Sequence, residues 1–233
     1  MKDECSFEEH IHSMITKTKG LSSWILRTFK SREKHLMLTL WKSLVIPHFD
    51  YCSPLWSPDK KCLIQAIEKV QRSFMRHVNG IRDLDYWEQL KTLKLYSLER
   101  RRERFQIIYT WSILENLVPN CGTMNNRGEM ERGIKWYNHI RQGRKCEIPL
   151  ISRGKYQNMI SSTFHCRGPK LFNCLPKYLR NLTGCSKDHF KLKLDGYLSS
   201  VPDEPQLPNY TIYRRADSNS IADMCTGLYK MGV

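Results

Sequence analysis

Two-metal nucleotidyl transfer needs carboxylates gathered on rigid elements, where they can hold a pair of divalent cations. The nearest candidates in this sequence are Asp83 and Asp85, flanked by Arg82, Tyr86 and Trp87. A helix-initiating turn is the commoner reason for aspartates in such a setting. His10 and His12 form the one close His pair, but residues at i and i+2 of a helix point in different directions. Cys166, Cys174, Cys185 and His189 follow one another with seven, ten and three residues between them. Zinc modules open on a much shorter interval, and packing of small thiols accounts for these cysteines more simply. The sequence contains neither GxxxxGK[ST] nor GxSxG, so no phosphate cradle or nucleophile elbow is expected. These residues make no self-contained active site, and no metal or cofactor is expected.

The chemistry that the residues do support is the binding of anions. Between Lys60 and Arg104 there are twelve Lys or Arg against six Asp or Glu. Between Arg167 and Lys193 there are seven against one, Asp188, and Lys187 and Lys191 belong to this second zone. In the first zone Lys69, Arg72 and Arg76 recur at helical spacing on one face, with Gln65 one turn earlier. Arg100, Arg101, Arg102 and Arg104 cluster where another helix is expected to begin. Cations are disfavoured at that end of a helix dipole, and a phosphate docked on the free backbone N–H groups would relieve the conflict. Neutralising phosphates releases condensed counterions, so both zones are candidate backbone-contact surfaces. Nothing here reads base edges, so affinity without sequence specificity is expected. Trp56, Trp87 and Trp136 can stack on bases, although aromatic residues that pack helices are commoner.

Bulk composition agrees. The 233 residues carry 38 Lys or Arg and 23 Asp or Glu, a formal charge of +15, with a pI near 9.5. Such an excess repels itself unless a polyanion is near, which makes RNA, an RNA–DNA hybrid or DNA the leading partner class; a merely solvated basic surface is the alternative. At 40% apolar residues the chain can bury one sizeable core or two small ones. No apolar run is long enough to span a membrane, and the charged Met1-Lys2-Asp3-Glu4-Cys5 start is not a secretory signal. Nine cysteines, an odd number without a CxxC pair, fit reduced thiols better than a disulfide scaffold. A soluble protein of the nucleus or cytoplasm, without a membrane partner, is expected.

These residues must be positioned by helices. Ser6-Phe7-Glu8-Glu9 has the form of a capping box, and Phe7, Ile11, Met14 and Ile15 follow at helical spacing. Gly20 is expected to interrupt this helix, with a second short one over 22–30. Ser31 is placed as the cap of the next helix. There Leu36, Leu40, Leu44 and Met37, Trp41, Val45 form two adjacent apolar rows, a width that predicts burial on most sides, up to a stop or kink at Pro47. Leu63, Ile67, Val70, Phe74 and Val78 mark one face of a helix over 60–79, with Gly80 at its C-terminal cap. A short helix is expected over 85–93. Another opens at Ser97 and carries Ile107, Trp111, Leu114 and Val118. The segment 120–143 reads as a linker. Beyond it, 145–151 and 156–164 are candidate strands of a short hairpin turning at Arg153-Gly154. A last helix over 186–198 faces Phe190, Leu194 and Tyr197 inward, and a proline-marked polar tail is expected to be disordered.

Several of these stretches together resemble one family. Ser31-Arg32, then Leu44-Val45-Ile46-Pro47-His48-Phe49-Asp50-Tyr51 and Leu55-Trp56-Ser57-Pro58, look like the segment just after the palm in non-LTR retrotransposon reverse transcriptases of the jockey and chicken-repeat type. Asp3 and Ser6-Phe7-Glu8-Glu9-His10-Ile11 are similar to the lead-in to that segment. Ile67-Glu68-Lys69-Val70-Gln71-Arg72 and the run Leu90-Lys91, Leu93, Leu95, Ser97-Leu98-Glu99-Arg100-Arg101-Arg102 continue the likeness in the same order. Near the end, Phe172-Asn173-Cys174-Leu175-Pro176 and Phe190-Lys191, Lys193-Leu194-Asp195 resemble the family's terminal motifs, with Phe172 where Trp is usual. Coverage runs from about Asp3 to Tyr197. The family's catalytic aromatic-x-Asp-Asp motif has no counterpart, because no Asp-Asp pair occurs in the sequence. No catalytic residue can therefore be carried over, and palm and fingers domains are expected partners outside these residues.

The expected fold is mainly α, with a thumb-like helical bundle over 1–119, a linker over 120–143, a smaller α+β region over 144–200 with a candidate β-hairpin, and a tail over 201–233. The resemblance implies a non-catalytic portion of an RNA-directed DNA polymerase that grips nucleic acid. The residues expected at the interface are Lys69, Arg72, Arg76, Arg100, Arg101, Arg102, Arg104, Lys187 and Lys191. A basic helical protein-interaction domain without a nucleic-acid role is the alternative.

Overall fold

The computed structural model of the protein describes residues 7–120, 133–150, 157–203, 219–222 and 224. The fold is mainly α-helical with one two-stranded antiparallel sheet. The chain divides into two compact units, with the boundary between Arg102 and Glu103, inside a helix rather than in the 120–143 segment. Ser6, Arg153-Gly154, Cys5, Cys121, Cys225 and most of the tail beyond Asp203 lie outside the described residues.

The first unit begins with α1 (Glu8–Thr28), which runs unbroken through Gly20. Its buried positions Ile11, Met14, Ile15, Thr18, Ser22 and Ile25 form one continuous stripe. That packing outweighs the roughly 1 kcal/mol that a helical glycine costs, so the expected break does not occur. Next come α2 (Lys34–Leu40), a π-helical turn (Trp41–Val45) and α3 (Ile46–Asp50), in continuous succession. Ser31 lies outside α2, where its Oγ accepts the Glu33 N–H at 3.4 Å; Glu33 holds the cap position instead.

The π turn corrects the expected burial. Met37, Trp41 and Val45 are sealed, Leu36 and Leu40 are half-buried, and Leu44 is 37% exposed. Residues four apart drift around an α-helix, and the wider turn keeps Trp41 and Val45 in line while leaving Leu44 outside. Pro47 then sits in the first turn of α3, where its missing N–H is tolerated. A short α4 (Ser53–Trp56) follows Cys52, whose φ is 50°.

α5 (Lys61–Met75) has the sharpest division of faces. Leu63, Ile67, Val70 and Phe74 are buried, as is Val78 in the turn beyond, and the Trp41 ring stacks on Phe74 at 4.8 Å. The helix stops at Arg76, so Gly80, with φ 79°, serves that turn rather than the cap. α6 (Tyr86–Leu93) starts on a complete capping box. Asp85 Oδ2 accepts the Trp87 N–H at 3.2 Å, and Glu88 Oε2 accepts the Asp85 N–H at 3.3 Å.

α7 (Leu98–Leu114) opens at Ser97, whose Oγ accepts the Arg100 N–H at 3.1 Å. In the second unit, the Trp111 ring lies parallel to Phe190 at 4.4 Å, and its indole N–H donates to the Leu182 carbonyl at 2.9 Å. Ile107, Trp111 and Leu114 are buried, whereas Val118 falls beyond the helix and is half-buried. β1 (Trp136–His139) and β2 (Gly143–Cys146) pair with Trp136 opposite Cys146 and His139 opposite Gly143.

The hairpin therefore lies earlier than expected, with β1 inside the segment read as linker. Where the second strand was expected, α8 (Gln157–Ser162) and α9 (Phe164–Asn173) are helical. Gly143 fixes the turn: its φ is 72°, and a Cβ there would come within 2.4 Å of Asn181 Oδ1. α10 (Lys177–Arg180) and α11 (Lys187–Leu198) complete the unit. Ser186 caps α11, which buries Phe190, Leu194 and Leu198 and leaves Tyr197 half-buried. From the tail, Asn219, Ile221 and Met224 are buried; the Glu103 carboxylate accepts the Ile221 N–H at 2.8 Å and the Ser220 hydroxyl.

Candidate nucleic-acid interface

Lys69, Arg72 and Arg76 lie on the side of α5 turned away from the core, and all three are exposed. Together with Gln65, Glu68 and Ser73 they line a groove of about 500 Å³. No carboxylate pairs with any of the three cations among the described residues. Arg72 is held in place by the Tyr86 ring, with its guanidinium carbon 4.6 Å from the ring centroid. A guanidinium over an aromatic face keeps its outer N–H groups available while losing some of its rotamer freedom.

Glu68, which lines this groove, also belongs to a buried polar network. Tyr86 donates its hydroxyl to Glu68 Oε1, and Gln71 Nε2 donates to the Tyr86 oxygen and the Tyr96 carbonyl, both at 3.1 Å. Burial pushes the Tyr86 phenol well above its ordinary value, and the neighbouring Glu68 charge pushes it further. The phenol therefore stays neutral as a donor to Glu68.

The arginines of α7 take a different course. Arg100 and Arg102 are buried, at 0% and 3% exposed. Arg101 forms a two-pronged pair with Asp50, Nε and Nη2 donating at 2.7 and 2.6 Å. Arg104 does the same with Asp195, at 2.5 and 2.7 Å. Nor does the helix start await an external anion. Both Glu68 oxygens accept the Leu98 N–H, at 3.2 and 2.9 Å, and Ser97 takes that of Arg100. The anion anticipated at this helix terminus is thus a side chain of the same chain, a buried carboxylate from α5.

Lys187 is exposed at the start of α11, and Lys191, one turn on, pairs with Asp188 at 2.8 Å. The Lys191 hydrogen bond and charge hold the Asp188 carboxyl below its ordinary value. Trp56 is buried and donates its indole N–H to the Tyr51 carbonyl at 2.7 Å. Trp87 is half-buried, and Trp136 is half-exposed with the Arg144 guanidinium 4.5 Å from its ring centroid. Asp83 is exposed and Asp85 serves the α6 cap.

Among the described residues no group of three or more His, Cys, Asp or Glu side chains is arranged to hold a metal ion, and no helix is long and apolar enough to cross a membrane. The structure thus brings together Lys69, Arg72 and Arg76 and commits Arg101 and Arg104 to ion pairs. Ser73 was missed as a member of the groove although its position, one helical turn from Lys69 and from Arg76, was readable. No protein-family model, curated protein or solved structure matches this chain.

Proposed function

We propose that the chain is a non-catalytic, thumb-like portion of a non-LTR-type RNA-directed DNA polymerase, gripping an RNA–DNA hybrid or RNA through the outer face of α5. The observation that carries this reading is the row Lys69, Arg72 and Arg76, exposed without carboxylate partners among the described residues on a helix whose opposite side is core. Residues three and four apart on a helix lie about 5–6 Å from one another, so the row can track consecutive phosphates without disturbing packing. The sequence resemblance supplies the polymerase context.

The structure gives the resembling motifs a common physical sense. Asp50, Glu68, Gln71, Ser97, Arg101, Asn173 and Asp195 all lie in them, and each makes a hydrogen bond that joins distant parts of its own unit or caps a helix. Hydrogen bonds of this kind hold the fold together, which supports reading the resembling motifs as scaffold. On this reading, the protein supplied with a primed template, nucleotides and Mg²⁺ extends nothing; extension above a mock preparation would refute it. Binding is tested by titrating a labelled RNA–DNA hybrid at several salt concentrations. Log affinity should fall linearly with log salt, whereas no binding at low salt would remove the proposal.

A protein-interaction domain remains the second reading, favoured by Tyr51 and Leu55, 73% and 66% exposed around the α3–α4 connection. It predicts partner binding that survives high salt, because apolar contacts are not screened.

A further inference from the structure

The second unit carries exposed aromatic and basic residues that the α5 reading does not use. β1 is exposed at all four positions, whereas β2 buries Gly143, Arg144 and Cys146 and half-exposes Lys145. The register sorts the positions onto two faces, with Arg144 and Cys146 opposite Asn138 and Trp136 on one and Lys145 opposite Tyr137 on the other. Arg144 and Cys146 turn inward, where Arg144 pairs with Glu115 and donates to the Leu114 carbonyl at 2.6 Å, and Asn173 clamps both backbone groups of Cys146 at 2.9 and 2.8 Å. Tyr137 and His139 therefore share the outer face with Lys145, which stands directly opposite Tyr137 in the register. Tyr137 is 44% exposed, and Lys135 and Arg141, at the two ends of β1, are also exposed. None of Lys135, Arg141 or Lys145 pairs with a carboxylate among the described residues, and over 133–147 the one acidic residue is Glu147. The His139 ring is oriented by the Gln142 N–H, which donates to Nδ1 at 3.2 Å.

We propose that this outer hairpin face is a platform for single-stranded nucleic acid, with two successive bases on Tyr137 and His139 and phosphates on Lys135, Arg141 and Lys145. Residues two apart on a strand are about 6.7 Å apart, wide enough for splayed bases but too wide for the stacked bases of a duplex. Flat rings with a cationic surround bind bases without reading sequence. A protein ligand adding to the β1 edge would not need the three cations. The inference does not rest on the α5 reading and lies in a separate unit.

The test uses labelled oligouridylate on the full chain, alongside an RNA–DNA hybrid. Tyr137→Ala should weaken oligouridylate binding about tenfold while hybrid binding changes little, and Tyr137→Phe, which keeps the ring, should bind like the parent. The Tyr137→Ala effect should persist in a Lys69→Gln, Arg72→Gln, Arg76→Gln background, which separates a failure here from a failure at α5. As a measurement that needs no variant, light-induced crosslinking of a thiouridine oligonucleotide should label the peptide containing Tyr137 and His139. Unchanged oligouridylate binding by a folded Tyr137→Ala protein, or crosslinks confined to other peptides, would overturn the proposal.

Discussion

The cations of α5 and those of α7 live in opposite electrostatic settings. Lys69, Arg72 and Arg76 face solvent, and the Tyr86 ring lies under Arg72. Arg101 and Arg104 are half-buried against Asp50 and Asp195, each with two parallel N–H donors on two carboxylate oxygens. The first arrangement leaves charge for a partner, and the second spends it on fixing the chain to itself. A cluster of arginines is therefore a poor guide to an interface until its carboxylates are located. Isolated basic residues on the bare side of an amphipathic helix are a better one.

The largest effect should come from a buried pair of the same kind, Arg144 with Glu115, whose side chains are only 7% and 11% exposed. Glu115→Ala strands the guanidinium and frees the Gly184 N–H that the second oxygen accepts. Chemical denaturation should show a loss of about 3–5 kcal/mol. A loss below about 1 kcal/mol would mean that paired arginines do not hold the fold.

Next in size is Arg101→Gln. Its pair with Asp50 is about a quarter exposed, so solvent screening reduces the cost to about 1–2 kcal/mol. Hybrid binding by the folded variant should be unchanged. If stability holds and binding collapses, the contrast between the two helices fails, and the α7 arginines belong to the interface.

The buried network around Glu68 offers a titration. The Tyr86 phenol is raised in the folded chain, chiefly by burial, so the unfolded chain releases that proton first. Its contribution is complete below about pH 10, the ordinary tyrosine value, and is lost as pH rises through the folded value. Unfolding free energy should fall above about pH 10, and Tyr86→Phe should flatten that fall. The same decline in parent and variant would place the alkaline sensitivity elsewhere, with the buried Cys146 thiol, pushed up to about 12, the first alternative.

How far the sequence foretold these features depends on the range of the interactions. α5 was readable on both faces because its pattern repeats every turn and its partners are local. The α6 cap was readable at Asp85 for the same reason. The pairs that hold Arg101 and Arg104 join residues 51 and 91 positions apart, and no local pattern announces them. Gly143 was passed over for Arg153-Gly154 as the hairpin turn because its need for glycine comes partly from Asn181, contributed from far along the chain. Gly20 misled in the other direction, since a continuous buried stripe carries a helix through a weak position. The π turn before Pro47, and with it the exposure of Leu44, has no signature in apolar spacing alone.

The smallest expected change in stability belongs to the substitution that should matter most for binding. Lys69→Gln, Arg72→Gln and Arg76→Gln should each cost under about 0.5 kcal/mol, with Arg72 the largest because it leaves the Tyr86 ring. The combined variant, titrated with an RNA–DNA hybrid across a salt series, tests the central claim directly. Slopes are about −0.9 per phosphate neutralised on duplex DNA and should be similar on the hybrid. The variant should therefore bind more weakly, about equally across sequences, with a slope flatter by about two to three. A folded variant that keeps the parent's affinity and slope would contradict the account and leave the α5 row as solvated surface.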